Sequence, residues 1–217
     1  WLKLKSHSYK SADPSHLEKN YITYEEAMLE GLDGLIITGA AVGKLPFDEI
    51  KYWPEVQSIF EDARKNIVNT LGICWGGIAL SHYLGLNRSF YPVKHFGVFK
   101  GELVAHSHKH PVIGGMDDAF DCPQSRYSKI DDSELEKARD NGLLNLLAHG
   151  KESGTFIYET TDHRFLMHLG HPEYNRDRIK FEALRDLESN RDDVAPPVNF
   201  DMENPLNTWR SHRNELF

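Results

Sequence analysis

Short apolar runs and amphipathic stretches alternate along this chain as far as about Leu84, and the texture changes after His95. Gly34-Leu-Ile-Ile-Thr38 is a brief apolar run with glycine on both sides, the pattern of a strand buried on both faces of a parallel sheet. Between about Phe47 and Lys65, with Ile67 continuing the pattern, Trp53, Val56, Phe60 and Ala63 recur every three or four positions. That spacing predicts an amphipathic helix, in which Pro54 is tolerable only near the first turn or at a kink. Thr70-Leu-Gly-Ile-Cys74 predicts a second buried strand, and Gly76 to about Leu84 a helix. Strand, helix, strand, turn, helix is the grammar of an open α/β sheet.

Ahead of this block, residues 1–20 predict a short strand followed by a polar, Pro-containing loop. Thr23 with Glu26 three positions on is a capping box opening a short helix to about Leu29. Beyond it, Phe96–Val104, Leu144–Ala148, Thr155–Tyr158 and Arg164–Leu169 read as shorter strands, Asp132–Asp140 as an amphipathic helix, and Tyr174–Glu188 as a last helix. The Asn/Asp/Pro-rich tail from residue 189 ends in an aromatic Asn207-Thr-Trp-Arg-Ser-His-Arg-Asn segment. The expected architecture is one α/β domain over residues 1–217, an open and mostly parallel sheet flanked by helices.

Composition narrows the options. The 217 residues, 40% apolar and 27% charged, suffice for one sizeable hydrophobic core. A net charge of −8 argues against nucleic acid or an anionic membrane as main partner. The two cysteines, Cys74 and Cys122, make neither a disulfide framework nor a paired-cysteine zinc site, which suits a reducing cytosol. No apolar run reaches the length of a membrane span and no signal peptide is visible, so a cytoplasmic location is expected. The chain opens at Trp1 rather than Met and reads as a fragment lacking its first strand.

The strongest chemical signal is Gly72-Ile-Cys74-Trp-Gly76-Gly77. A buried strand delivers a cysteine into a glycine-rich turn with a helix directly behind it, the mechanics of a nucleophile elbow. Glycines are needed where the turn is strained and neighbouring chains crowd it. The helix N-terminus favours the thiolate, and the backbone N–H of Trp75 is placed to meet a developing oxyanion. A thiolate nucleophile wants a histidine, and the histidine an orienting acid. Among 12 histidines, His171 stands out because it follows the apolar strand 165–169 and Gly170, where open α/β sheets place their sites. Pro172 keeps the backbone extended, so Glu173 projects to the same side and can fix the imidazole tautomer. Cys122 lacks the elbow and reads as an inert thiol. His106-Ser-His108-Lys-His110 could place three imidazoles on one strand face, yet no carboxylate or cysteine accompanies them at useful spacing, and a solvated edge is the better reading. Gly39-Ala-Ala-Val-Gly43-Lys44-Leu45 lacks the spacing and the hydroxyl of a phosphate loop and reads instead as a second wall of the site.

These residues carry a resemblance. The chain resembles the homoserine O-acyltransferase family, with the class I glutamine-amidotransferase-like (flavodoxin-like) α/β fold, at Asp33-Gly-Leu-Ile-Ile-Thr-Gly-Ala40, Lys51-Tyr-Trp-Pro54, Ile73-Cys-Trp75, Lys94-His-Phe-Gly-Val98, Gly115-Met-Asp-Asp-Ala-Phe120, Ser125-Arg-Tyr127, Gly170-His-Pro-Glu-Tyr174 and Trp209-Arg-Ser-His212. The resemblance implies acyl transfer from an acyl-CoA co-substrate to homoserine in methionine biosynthesis, by a ping-pong route through acylated Cys74, with His171 as base and Glu173 orienting it. It implies substrate-binding roles for Lys94, Ser125 and Arg185, no permanently bound cofactor or metal, and a homodimer. It also implies that Gly43 leaves room for a succinyl group where glutamate would select acetyl. Three departures stand out. Gln124 replaces a usual His and is expected to alter the polar lining beside Ser125. Ala41 replaces a usual Pro. The N-terminal segment that would hold a family lysine is missing. Serine acylation in cysteine biosynthesis therefore stays open as an alternative acceptor chemistry. A glutamine amidotransferase would carry Gln where this chain has Ile78, and a binding module that had lost activity would have no need of an intact Cys74, His171 and Glu173.

Overall fold

A computed structural model describes residues 1–10, 12–189 and 191–216. Seven strands form one sheet in the order β1-β2-β7-β6-β5-β3-β4: β1 (Gly34–Ile37), β2 (Asn69–Ile73), β3 (Arg88–Leu103), β4 (Ala119–Ile130), β5 (Leu144–Gly150), β6 (Gly154–Thr160) and β7 (Phe165–His168). The sheet is mixed rather than mostly parallel. Only β1, β2 and β7 run together, and every other neighbouring pair is antiparallel. The parallel grammar ends where the connections become too short for a crossover helix: β5, β6 and β7 follow one another through tight turns, which permit only antiparallel pairing.

Among the described residues, seven α-helices accompany the sheet: α1 (Pro14–Asn20), α2 (Tyr24–Glu30), α3 (Trp53–Asn66), α4 (Trp75–Tyr83), α5 (Asp132–Asp140), α6 (Arg176–Glu188) and α7 (Arg210–Leu216). Among the described residues, no helix is long and apolar enough to cross a membrane. The α3 pattern behaves as its spacing requires, with Trp53, Val56, Phe60, Ala63 and Ile67 all buried. Its start moves to Trp53, which puts Pro54 in the first turn, where its missing N–H has no intrahelical acceptor to lose. The capping box at α2 is complete, the Thr23 N–H donating to Glu26 Oε2 at 2.7 Å and the Glu26 N–H to Thr23 Oγ1 at 3.3 Å. Thr23→Ala is expected to cost about 1 kcal/mol, read as a lower urea midpoint at unchanged slope.

Five readings of the sequence change. The opening strand is reduced to a single bridge between Leu2 and Ile22. The polar loop after it contains α1, capped by Asp13, whose side chain accepts from the Ser15 N–H. β1 is an edge strand buried on one side only, with Ile36 54% exposed. β4 reads as polar because Pro123, Gln124, Ser125, Arg126 and Ser128 interrupt it, yet those residues are buried. It lies at the other edge of the sheet, where Pro123 loses no ladder hydrogen bond. The tail also folds: α7 sets Trp209 into a cluster with Phe96, Val98, Ile179 and Ala183, and the indole N–H donates to the Tyr174 carbonyl at 2.8 Å.

Candidate active site

The three parallel strands end on one edge of the sheet and deliver Thr38-Gly39, Cys74 and, through Gly170, His171 to one place. Cys74 caps α4 in the left-handed region, at φ 53°, a strained conformation for a residue with a Cβ. Close approach around the elbow explains its glycines. A Cβ on Gly76 would stand 2.1 Å from the Ile37 carbonyl oxygen, and one on Gly72 would stand 2.7 Å from the Gly76 backbone. A Cβ on Gly39 would lie 3.4 Å from His171 Cε1 and 3.8 Å from Cys74 Sγ, so this glycine borders both groups at once. Trp75 opens α4, which leaves its backbone N–H without an intrahelical acceptor.

His171 Nδ1 lies 2.6 Å from Glu173 Oε1, leaving Nε2 for Cys74. Burial by itself pushes the His171 imidazole down, but the charge and hydrogen bond of Cys74, followed by those of Glu173, outweigh it and raise it to about 10. That balance favours the protonated imidazole, the form that would stabilise a sulfur anion beside it. The ring stacks on Tyr174 at 4.2 Å, and its backbone N–H donates to the Pro123 carbonyl at 2.8 Å. The Cys74 thiol lies 3.7 Å from the Ser125 carbonyl.

Beside this trio sits a buried charge cluster. Lys94, its side chain 4% exposed, reaches Glu182 Oε1 at 2.9 Å and Asp186 Oδ2 at 2.6 Å. Ser125 Oγ and the Tyr174 hydroxyl donate to Glu182 at 2.7 and 2.9 Å. Arg185 contacts Glu182 and Asp186 from the solvent side. Burial pushes the Glu182 carboxyl up, and Lys94 with the hydroxyl donors overcomes this and holds it at about 2. Glu182 and Asp186 are the residues that sequence reasoning missed. The signal was present, because Glu182, Arg185 and Asp186 follow the three- and four-residue spacing of one helix face.

Cys74, His171, Glu173, Trp75, Lys94, Ser125, Arg185 and Gly43 all line one cavity of about 420 Å³. The 38–44 loop forms its second wall. A Cβ on Gly43 would meet nothing within 4 Å. Ile78, also lining the cavity, offers no hydrogen bond where an amidotransferase would present an amide. Gln124 departs from expectation: it turns away from the cavity, and its Oε1 accepts from Arg126 Nε at 3.0 Å. Cys122 is fully buried and its thiol is pushed up by that burial.

The histidine-rich stretch is not a plain solvated edge. His110 Nε2 lies 3.0 Å from Glu159 Oε2, and His163 Nδ1 lies 2.8 Å from Glu159 Oε1, so the fold supplies the carboxylate that linear spacing did not. His110 Nδ1 accepts from the Val112 and Ile113 N–H groups, which puts its proton on Nε2, facing Glu159. That nitrogen is a donor to the carboxylate and has no lone pair for a metal.

Fold and site together define a class I glutamine-amidotransferase-like α/β protein with a cysteine elbow at the ends of its parallel strands. Solved structures share the fold: a glutamine amidotransferase from Thermotoga maritima, at TM-score 0.65 and 17% identity, covers 93% of this chain and 84% of its own. A putative GMP synthase subunit from Thermoplasma acidophilum, at TM-score 0.55 and 17% identity, covers 87% and 96%. Sequence comparison goes further. The family described as homoserine O-succinyltransferase matches residues 1–217. Proteins named homoserine O-acetyltransferase from Lachnospira eligens and Geobacillus kaustophilus are each 36% identical over the whole chain, which spans 70% and 72% of their lengths. The chain belongs to the homoserine O-succinyltransferase family, whose O-acyltransferases acylate homoserine in methionine biosynthesis.

Proposed function

We propose that this protein transfers a succinyl group from succinyl-CoA to the γ-hydroxyl of homoserine through an acylated Cys74. The observation that carries the reading is the meeting of Cys74, His171 and Glu173 in one cavity whose donor-side wall is open at Gly43. The Cys74 thiolate attacks the thioester carbonyl, and the Trp75 N–H receives the oxyanion. The tetrahedral adduct collapses, the C–S bond to CoA breaks, and the His171 imidazolium protonates the departing thiolate. Homoserine then enters. Its hydroxyl gives a proton to neutral His171 Nε2 and attacks the acyl-cysteine carbonyl, and the Cys74 thiolate leaves. Glu173 holds Nδ1–H throughout. The alternating charges of Lys94, Glu182, Arg185 and Asp186 suit the zwitterionic end of an amino acid, with Arg185 as the fork for its carboxylate and Ser125 beside the acceptor.

A two-by-two assay of succinyl-CoA and acetyl-CoA against homoserine and serine tests this. Succinyl-CoA with homoserine is expected to give the highest kcat/KM; preference for acetyl-CoA, or for serine, overturns the corresponding half of the proposal. Gly43→Glu places a carboxylate in the open space and is expected to lower succinyl-CoA kcat/KM by about a hundredfold relative to acetyl-CoA, through lost room and like-charge repulsion.

A further inference from the structure

Tyr174 follows His171 by three positions, and its N–H donates to the His171 carbonyl at 3.2 Å. That single turn lays the phenol ring against the imidazole, with centroids 4.2 Å apart and planes inclined by 20°. Tyr174 is half-buried and lines the same cavity as Cys74 and His171.

The bond from His171 to Glu173 does not by itself orient the base. An imidazole turns about a soft torsion. Its Nδ1 is tied to Glu173 Oε1 at 2.6 Å, but the Glu173 side chain is 37% exposed and has no second partner among the described residues. A carboxylate free to swing lets the ring swing with it. Any rotation that takes Nε2 away from Cys74 sweeps the imidazole through the space in front of its faces. Tyr174 closes one of those faces, and Gly39 borders the Cε1 edge.

Tyr174 is itself held from two directions. Its hydroxyl donates to Glu182 Oε2 at 2.9 Å, and Lys94 and Ser125 hold Glu182 Oε1 at 2.9 and 2.7 Å. Its carbonyl accepts from the Trp209 indole N–H at 2.8 Å. Burial and the Glu182 charge push the phenol up, so the hydroxyl keeps its proton and remains a donor. The wall beside the imidazole is thus fixed where the acid partner is not. Its electron-rich face also favours a protonated imidazole over a neutral one.

We propose that Tyr174 is the positioning residue for His171: its ring, tethered to Glu182 through the hydroxyl, keeps the imidazole facing Cys74 in both halves of the reaction. This rests on the acyl-cysteine reading above. Because the hydroxyl touches Glu182, the rival role is that of an acceptor-site residue, which would act in the second half alone.

The test times the two halves separately. Enzyme is mixed with acyl-CoA alone, succinyl-CoA and acetyl-CoA in parallel, and the burst of free CoA is followed; homoserine is then added to the acyl-enzyme. Tyr174→Leu is expected to slow both steps by a similar factor, about tenfold to a hundredfold, the range for a misplaced catalytic group. Tyr174→Met is a second aliphatic variant, so failure of one to fold does not decide the result. Tyr174→Phe keeps the ring and is expected to hold both rates within about threefold of wild type. If wild-type enzyme gives no CoA burst with either donor, the acyl-cysteine reading falls and takes this inference with it. If the burst is present in wild type and the aliphatic variants slow only transfer to homoserine, or slow neither step, the inference alone is overturned. Equal losses in Tyr174→Phe and Tyr174→Leu would also overturn it, because the hydroxyl and not the ring would then carry the effect.

Discussion

Cys74→Ala abolishes acyl transfer, with an expected loss of about ten-thousandfold or more, because it removes the sulfur that would carry the acyl group. The same substitution should change His171. Its imidazole stands at about 10 because Cys74 and Glu173 together outweigh burial; without the sulfur, Glu173 opposes burial alone, and the ring should titrate well below its wild-type value by NMR. Both readouts are needed. Loss of activity with an unchanged His171 titration would mean that the two side chains do not form a pair, and wild-type turnover in Cys74→Ala or Cys74→Ser would sink the mechanism. His171→Ala should lose nearly as much activity. Glu173→Gln should retain some, since the amide oxygen can still accept from Nδ1–H.

The second large effect is on stability. Lys94→Met removes the cation that two buried carboxylates share. The expected cost is about 3–5 kcal/mol, the range for breaking a buried pair by removing one partner. The pH dependence should also change sign. In the wild-type protein Glu182 stands at about 2 against an ordinary 4.5. It therefore contributes on the order of 3 kcal/mol, fully present above pH 4.5 and lost as pH falls through about 2. Without Lys94, burial should dominate and lift the Glu182 carboxyl above its unfolded value. The variant would then gain stability on going from pH 7 to pH 5, where the wild-type contribution is flat. Urea unfolding at the two pH values separates the cases, and a variant within about 1 kcal/mol of wild type at pH 7 would show that the cluster is not held by Lys94.

Chain order made some of this legible and hid the rest. The α3 face, the capping box and α5 are local patterns, and each formed where its spacing placed it. β4 escaped notice because its buried residues are polar, satisfied by partners distant in sequence: Ser125 by Glu182 and Arg126 by Ser153. A pattern of burial cannot be read from hydropathy when the buried groups are hydrogen-bonded. The edge position of β1 was equally hidden, since an apolar run looks the same whether or not a second element covers its other face. Gln124 was expected beside the acceptor. Strand alternation sends it the opposite way from Ser125, towards Arg126.

By itself the sequence determined the elbow, since Cys74 and its glycines must occupy a turn that tolerates no other residues, and it determined the His171–Glu173 pair, since Pro172 fixes their relation over two positions. Local sterics suffice for both. Only the tertiary structure decided that the parallel strands bring Gly39, Cys74 and His171 to one edge, and that Lys94 is neutralised by Glu182 and Asp186. Those are facts of electrostatic balance among residues far apart in the chain, and charge pairing has no signature in linear spacing.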